Sequence, residues 1–275
     1  LGSTFLGSGP RKVLVNLLVS FLYKKALAAC DVVFFQNADD QAHFVRSRLV
    51  DSRKTILVPG SGVALNRFPQ MPIPGSRPTF LLIARLIIEK GIRVYADAAR
   101  RVKSLHPEAR FQLLGPFDNH PGGIARREVA AWEAEGVLEY LGEVADVRPA
   151  LAACTTYVLP SFYGEGRPRS TLEALATGRA IVTTDAPGCR ETVVPGENGF
   201  LVPPGDVGAL ATAMARFLDD RSLAAKMGQR SRVLAEELYD VRMVNRMILE
   251  GMGLAGHDSG SAGCRDRIDP LLDSR

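Results

Sequence analysis

Short apolar runs, each closed by glycine, proline or charge, recur along most of this chain, and stretches of helical period lie between them. The runs are DVVFFQ from Asp31, TILVP from Thr55, TFLLIA from Thr79, RFQLLG from Arg110, VLEYLG from Val137, TYVLP from Thr156, AIVTT from Ala180 and GFLVP from Gly199. Near-continuous hydrophobicity suits a strand covered on both faces, so the runs predict strands of buried parallel type. Gly91 to Leu105 places Val94, Ala98, Val102 and Leu105 on one stripe, and Ser170 to Thr177, Val207 to Leu218 and Ser222 to Leu238 behave similarly. Asp206 and Ser222 are placed as N-caps. Repeated strand–helix alternation predicts an α/β fold built on a Rossmann-like, doubly wound parallel sheet.

A break interrupts the pattern at PQMPIPGSRP, Pro69 to Pro78, where four prolines and a glycine fall in ten residues. Such a stretch suits an extended connector. It divides residues 1–74, a partial first domain with its linker, from residues 75–253, a self-sufficient second one. The first part is too small for a complete doubly wound domain. Because the chain begins at Leu1 rather than Met, it is read as the tail end of a domain that starts upstream. Residues 254–275 form a tail, aperiodic and rich in Gly, Ser, Asp and Arg from Gly256 onward, expected to be disordered. Val13 to Tyr23 is the longest uncharged apolar stretch, shorter than the roughly 20 residues of a spanning helix. It is expected to be a buried helix; its flanking Arg11, Lys12, Lys24 and Lys25 leave open a helix lying on an anionic membrane surface.

Composition excludes more than it suggests. With 46% hydrophobic and 23% charged residues, wholesale disorder, collagen and coiled coil are ruled out. The net charge of +4 fits anionic partners, but no basic run interleaved with aromatics points to nucleic acid. Cys30, Cys154, Cys189 and Cys264 lie far apart, as do His43, His106, His120 and His257, so neither a disulfide framework nor a zinc site is readable. A cytoplasmic setting is the expectation. Walker-type, Gly-x-Gly-x-x-Gly, Gly-x-Ser-x-Gly and His-Glu-x-x-His motifs are absent, and so is an Asp-x-Asp that could hold a metal on a diphosphate. The pairs Asp39-Asp40 and Asp219-Asp220 are expected to be solvated surface.

Three segments carry candidate chemistry. Arg85 to Gly91 follows the strand from Thr79 and opens a helix. Ligands of open parallel sheets gather outside strand carboxyl ends, and Arg85 and Lys90 are cations placed there for a diphosphate. Pro160 to Ala174 runs from a strand end through a Gly/Pro turn into a helix starting near Pro168 or Arg169. Glu165 precedes that helix and Glu173 lies inside it, with seven residues between them. A helix start offers free N–H groups and a positive dipole end to a phosphate. Gly164 and Gly166 allow a ligand close to the backbone. The alternative is that Glu165 caps the helix and Glu173 is a surface acid. The third segment, Thr183 to Glu191 and then Asn198 to Pro203, places a further loop near the same edge.

Taken in order, the Arg-Leu-x-x-x-Lys-Gly turn, the Leu-Pro-Ser strand end, the Glu-x7-Glu motif, the strand from Gly178 and the Asn-Gly-Phe-Leu-Val-Pro segment resemble the retaining glycosyltransferases of GT-B architecture, family 4 or group 1. The likeness runs from about Asp31 to Asn245 and is finest to bacterial enzymes of polysaccharide or lipid-linked glycan assembly. It implies a C-terminal donor-binding domain, residues 75–253, behind a truncated acceptor domain. It implies that Arg85 and Lys90 hold the donor diphosphate, that Glu173 accepts hydrogen bonds from the ribose, and that Glu165 faces the transferred sugar. Gly166 and the backbone of Arg169, Ser170, Thr171 and Leu172 would touch phosphate or sugar. The segment after Gly115 and the Leu141 to Val144 turn would border the base. The donor would be a nucleotide-sugar, a UDP-sugar by resemblance, with no metal or other cofactor. The acceptor would be a saccharide or a polyprenyl-linked glycan, reached at the inner face of the cytoplasmic membrane by peripheral contact. Competing readings are a catalytically silent nucleotide-sugar-binding fragment and an epimerase or phosphorylase of the same architecture, against which the Glu165–Glu173 motif speaks.

Overall fold

The computed structural model describes residues 10–75 and 77–254. Strands form at all eight apolar runs: β1 Val33–Phe35, β2 Thr55–Leu57, β3 Thr79–Ile83, β4 Arg110–Leu114, β5 Glu139–Tyr140, β6 Thr156–Leu159, β7 Ala180–Thr184 and β8 Gly199–Val202. The helices are α1 Pro10–Ala28, α2 Ala38–Arg46, α3 Ile92–Lys103, α4 Arg126–Ala134, α5 Arg148–Ala153, α6 Arg169–Ala176, α7 Val207–Asp219, α8 Ser222–Leu238 and α9 Val241–Gly251. β1 and β2 pair in parallel as a two-stranded unit. The other six form one sheet in the order β5-β4-β3-β6-β7-β8, every pairing parallel. This is the doubly wound Rossmann-like arrangement that the sequence predicts.

Both faces of that sheet are covered, which is why its strands read as unbroken apolar runs. On one face Phe80, Leu82, Phe111 and Leu113 pack with Tyr95, Ala99 and Val102 of α3 and with Leu210, Met214 and Phe217 of α7. On the other, Leu81, Ile83, Tyr157 and Leu159 pack with Leu151 of α5, Leu172 and Leu175 of α6 and Ala235 of α8. Each Leu, Ile, Phe or Met side chain so buried contributes roughly 1.5–3 kcal/mol.

Three details differ from expectation. Of the stripe expected on α3, Ala98 and Val102 are buried and Val94 packs on the core beside Ile92, Tyr95 and Ala99, which that stripe did not name, whereas Leu105 lies beyond the helix, 79% exposed. The Tyr95 hydroxyl reaches the Phe80 carbonyl at 2.9 Å. Ser222 is the first residue of α8 rather than its cap; Asp220 accepts from its N–H at 2.9 Å and from its hydroxyl at 2.6 Å. Asp206 does cap α7, accepting from Ala209 N at 2.9 Å. The third correction concerns α1. Val15, Leu17, Leu18, Phe21, Leu22 and Tyr23 are exposed, so the stretch is a helix but not a buried one. Only Leu27 and the ring of Tyr23 reach the small cluster of Phe35, Phe44, Leu49 and Val50. Among the described residues no helix is long and apolar enough to cross a membrane. The tail from Gly256 lies outside the described residues.

The proline connector is extended but pinned. Arg179, at the start of β7, is buried and donates to the carbonyls of Pro72 at 3.1 Å and Met71 at 3.2 Å. Arg232 bridges the carbonyls of Phe68 at 2.9 Å and Ala176 at 2.7 Å. Beyond α8 the chain returns to the first part: Val63 N donates to Tyr239 O at 2.7 Å, and Gly251 of α9 lies against Phe34 and Ile56. No carboxylate pairs with Arg179 among the described residues, and burial lowers its pKa. Arg179→Met keeps the bulk but strands those carbonyls. It is expected to cost about 2–4 kcal/mol in urea unfolding; a loss within experimental error would show that the connector is held by other contacts.

Candidate functional site

Ligands of a doubly wound sheet bind where the winding reverses, outside the strand carboxyl ends. From β3 the chain winds out through β4 to β5, then returns to β6 and winds the other way to β8. The crevice therefore opens between the loop after β3, which carries Arg85 and Lys90, and the loop after β6, which carries Glu165.

The two loops are stitched together. Phe162 N and Ser161 Oγ both donate to the Glu89 carbonyl at 3.1 Å. Gly91 lies so close that a Cβ there would fall 2.1 Å from the Pro160 oxygen, and its φ of +73° is one that L side chains rarely adopt. The consequence is an ion pair: Lys90 Nζ sits 2.5 Å from Glu165 Oε2, with the two side chains 20% and 13% exposed. The other carboxylate oxygen, Glu165 Oε1, is buried and finds no hydrogen-bond donor among the described residues. An unpartnered buried acceptor is costly, on the order of 1–3 kcal/mol, and it suits a ligand hydroxyl.

The main chain of Glu165 is fixed as firmly as its side chain. Its N–H donates to Pro187 O at 3.1 Å, and its carbonyl accepts from Asn37 Nδ2 at 2.8 Å. Gly188, with φ +85°, presses against the same carbonyl. Gly166 packs on Gln36, whose Oε1 would lie 2.0 Å from an added Cβ.

The helix that follows begins at Arg169, with Pro168 as an N-cap that supplies no side-chain acceptor. Glu165 therefore does not cap it; its carboxylate is taken by Lys90. Thr171 N and Leu172 N already donate to Pro168 O at 3.0 and 3.2 Å. The amides open to an anion are accordingly those of Arg169 and Ser170, with the positive end of the helix dipole behind them. Leu172 itself is core, and Ser170 Oγ accepts from the Tyr157 hydroxyl at 2.6 Å. Thr171 is buried, its hydroxyl oxygen without a partner among the described residues.

Glu173 is not a surface acid. Its side chain is 11% exposed and accepts from Arg169 Nε at 3.0 Å, while Arg169 is 75% exposed. Arg85 is also largely exposed and donates to Asp118 Oδ2 at 2.9 Å. Asp118 is held below the usual carboxylate range by the His120 backbone N–H and then by Arg85. Both predicted diphosphate cations thus have carboxylate partners. Gly115 backs onto the Ala84 carbonyl and accepts from the Tyr140 hydroxyl at 2.8 Å, which brings the proposed base-side segments to the same sheet edge. Cys189 is buried and its thiol is pushed up to about 12 by that burial, so it stays protonated and is no nucleophile. Of the acid pairs, Asp219 and Asp220 are exposed as expected. Asp39 reaches Arg190 at 3.4 Å, and Asp40 is half-buried beside Asn37.

Sequence reasoning missed Asn37, Gln36 and Asp118. Asn37 carried a local signal, since its side chain caps α2 by accepting from Asp40 N at 2.7 Å; nothing local announces a partner 128 positions away. A separate cleft, walled by Leu57, Pro59, Val193, Leu234 and Leu238 beside Arg167, holds none of the predicted site residues.

With this geometry in view, the family follows. Residues 77–220, more than half of the chain, match the family of group 1 glycosyl transferases, and the chain belongs to that family. It is 27% identical over 263 residues to the N,N'-diacetylbacillosaminyl-diphospho-undecaprenol alpha-1,3-N-acetylgalactosaminyltransferase of Campylobacter jejuni, covering 91% of this chain and 67% of the relative. It is 38% identical over 185 residues to the lipopolysaccharide core biosynthesis mannosyltransferase LpcC of Rhizobium leguminosarum, covering 64% of this chain and 52% of the relative. Anabaena HepE in complex with UDP shares the fold, with a TM-score of 0.74 at 21% identity over 89% of this chain and 68% of that one. The chain spans about half to two thirds of the length of the curated relatives it matches.

Burial raises the Glu173 carboxyl above its ordinary range, with Arg169 pulling the other way. Such an acid contributes stability below its unfolded pKa, and the contribution is lost as pH rises through the folded one. Glu173→Gln does not titrate. Its stability relative to the parent is therefore expected to rise between about pH 4 and about pH 7. Urea unfolding at both values checks this; a variant that loses ground on going to neutral pH would contradict the burial assignment.

Proposed function

We propose that this chain binds the diphosphate and sugar of a UDP-sugar in the β3–β6 crevice. In the whole protein, a hexosyl unit would pass from that donor to an acceptor hydroxyl with retained configuration. The observation that carries the reading is the Lys90–Glu165 pair with the unpartnered Glu165 Oε1 beside it. A diphosphate entering the crevice takes Lys90 from Glu165. The released carboxylate then accepts from the hydroxyls of the sugar, and Glu173 accepts from the ribose. Arg85 leaves Asp118 for the same diphosphate, and the Arg169 and Ser170 amides meet the phosphate next to the sugar. Negative charge grows on the departing diphosphate in the transition state, where preorganised cations and helix N–H groups act most strongly. These groups supply the neutralisation without a metal. Retention would follow if the departing phosphate assists deprotonation of the acceptor on the same face.

Support for the donor comes from the HepE complex with UDP, which has the same fold. Support for a lipid-linked or polysaccharide acceptor comes from the diphospho-undecaprenol named for the Campylobacter relative and the lipopolysaccharide core named for the Rhizobium one. Residues 75–253 would be the donor-binding body and residues 1–74 part of the acceptor side. The exposed apolar side chains of α1 would suit peripheral contact at the inner face of a cytoplasmic membrane.

Calorimetric titration with UDP in excess chelator tests the donor site. Binding is expected without metal, and Lys90→Ala should weaken it by about 1.5–3 kcal/mol. Glu173→Gln should weaken UDP, whereas Glu165→Gln, which frees Lys90, should not weaken UDP but should weaken UDP-sugars. Binding that appears only with magnesium or manganese contradicts the metal-free reading; equal effects of the two glutamine substitutions on UDP contradict the assigned roles.

A further inference from the structure

From the first part of the chain, the side chain of Asn37 reaches the Glu165 backbone, and it is fully buried. Its Oδ1 accepts from Asp40 N at 2.7 Å, and its Nδ2 donates both to Asp40 Oδ2 at 3.0 Å and to the Glu165 carbonyl at 2.8 Å. Capping of α2 uses only the oxygen. The nitrogen is spent on holding Glu165. A buried amide is costly to leave unpaired, so this geometry is specified rather than incidental. The neighbouring contacts act in the same direction: Arg167 Nε donates to the Gln36 carbonyl at 3.1 Å, and Gly166 rests on the Gln36 side chain.

We infer that Asn37 is a positioning residue for the donor sugar: by clamping the Glu165 carbonyl it sets where the Glu165 carboxylate stands, and so makes sugar recognition depend on the docking of residues 33–46 against the β6–α6 turn. The inference rests on the donor reading of the crevice. It has a specific consequence. The diphosphate cations Arg85 and Lys90 stand on the β3 loop, to which Asn37 makes no hydrogen bond among the described residues, and Lys90 meets the clamp only through its pair with Glu165. Loosening Glu165 therefore does not weaken UDP binding, since it can only free Lys90, while it degrades the contact to the sugar. A residue that merely supported the fold would weaken both ligands together.

The test uses the whole chain with UDP and UDP-glucose as probes, both titrated by calorimetry. Asn37→Asp combined with Asp40→Asn keeps the shapes, the net local charge and the α2 cap, but replaces the donor to Glu165 by an acceptor. Asn37→Ala removes donor and cap together, and Asp40→Ala removes the other acceptor of Asn37 Nδ2 while leaving the cap and the clamp. The double variant and Asn37→Ala are expected to bind UDP no worse than about twofold below the parent and UDP-glucose about tenfold or more weakly. Asp40→Ala should bind both as the parent does. Parent-like UDP-glucose affinity in the double variant, or a parallel loss of UDP and UDP-glucose in both Asn37 variants, overturns the positioning role alone. A parent chain that binds neither ligand overturns the donor reading and this inference with it.

Discussion

One close approach underlies the site: the chain at Gly91 lies against the Pro160 carbonyl, where any side chain would collide. That contact sets the loop after β3 beside the loop after β6, and the Glu89 carbonyl is then within reach of Phe162 N and Ser161 Oγ. Lys90 and Glu165, 75 positions apart, meet only because of it. The parallel sheet supplies the coarse placement, since reversal of its winding between β3 and β6 opens a crevice there. The glycine supplies the last few ångströms.

The electrostatics then follow from burial. A lysine and a glutamate this poorly exposed would each be costly alone, and paired they neutralise one another. Lys90 is therefore held on an internal carboxylate, whereas Arg85 pairs with Asp118 at the surface, where the attraction is worth less. On the proposed reading a donor would compete with those carboxylates, its diphosphate bringing more charge than either, and the carboxylate it displaces would become available where the sugar follows. This exchange would let one residue, Glu165, brace the two loops through Lys90 and then accept from the sugar.

Most of the large architecture was legible in the sequence because it rests on local pattern. The eight apolar runs became eight strands, and the Gly/Pro turns fell between them. Most of what failed did so for lack of local signal. The helix α4 buries only Val129 and Trp132 and α5 is six residues long, so neither has a readable apolar stripe; α9 does carry one, at Val241, Val244 and Ile248, although it buries only Val244. Exposure of α1 could not be read because its composition is that of a core helix, and burial depends on what lies beside it. At the site, motif order named Lys90, Glu165 and Glu173 as candidates, but not their pairing. That Glu165 meets Lys90, that Asp118 holds Arg85 and that Asn37 reaches Glu165 are facts of tertiary contact, which spacing along the chain does not encode.

The exchange at Lys90 is the central claim, and a crystal structure of this chain with UDP-glucose tests it directly through one distance. The account predicts that Lys90 Nζ has left Glu165 for the diphosphate, with the Glu165 carboxylate within hydrogen-bond reach of a glucose hydroxyl. UDP-glucose bound with the Lys90–Glu165 pair still at its 2.5 Å separation would contradict it.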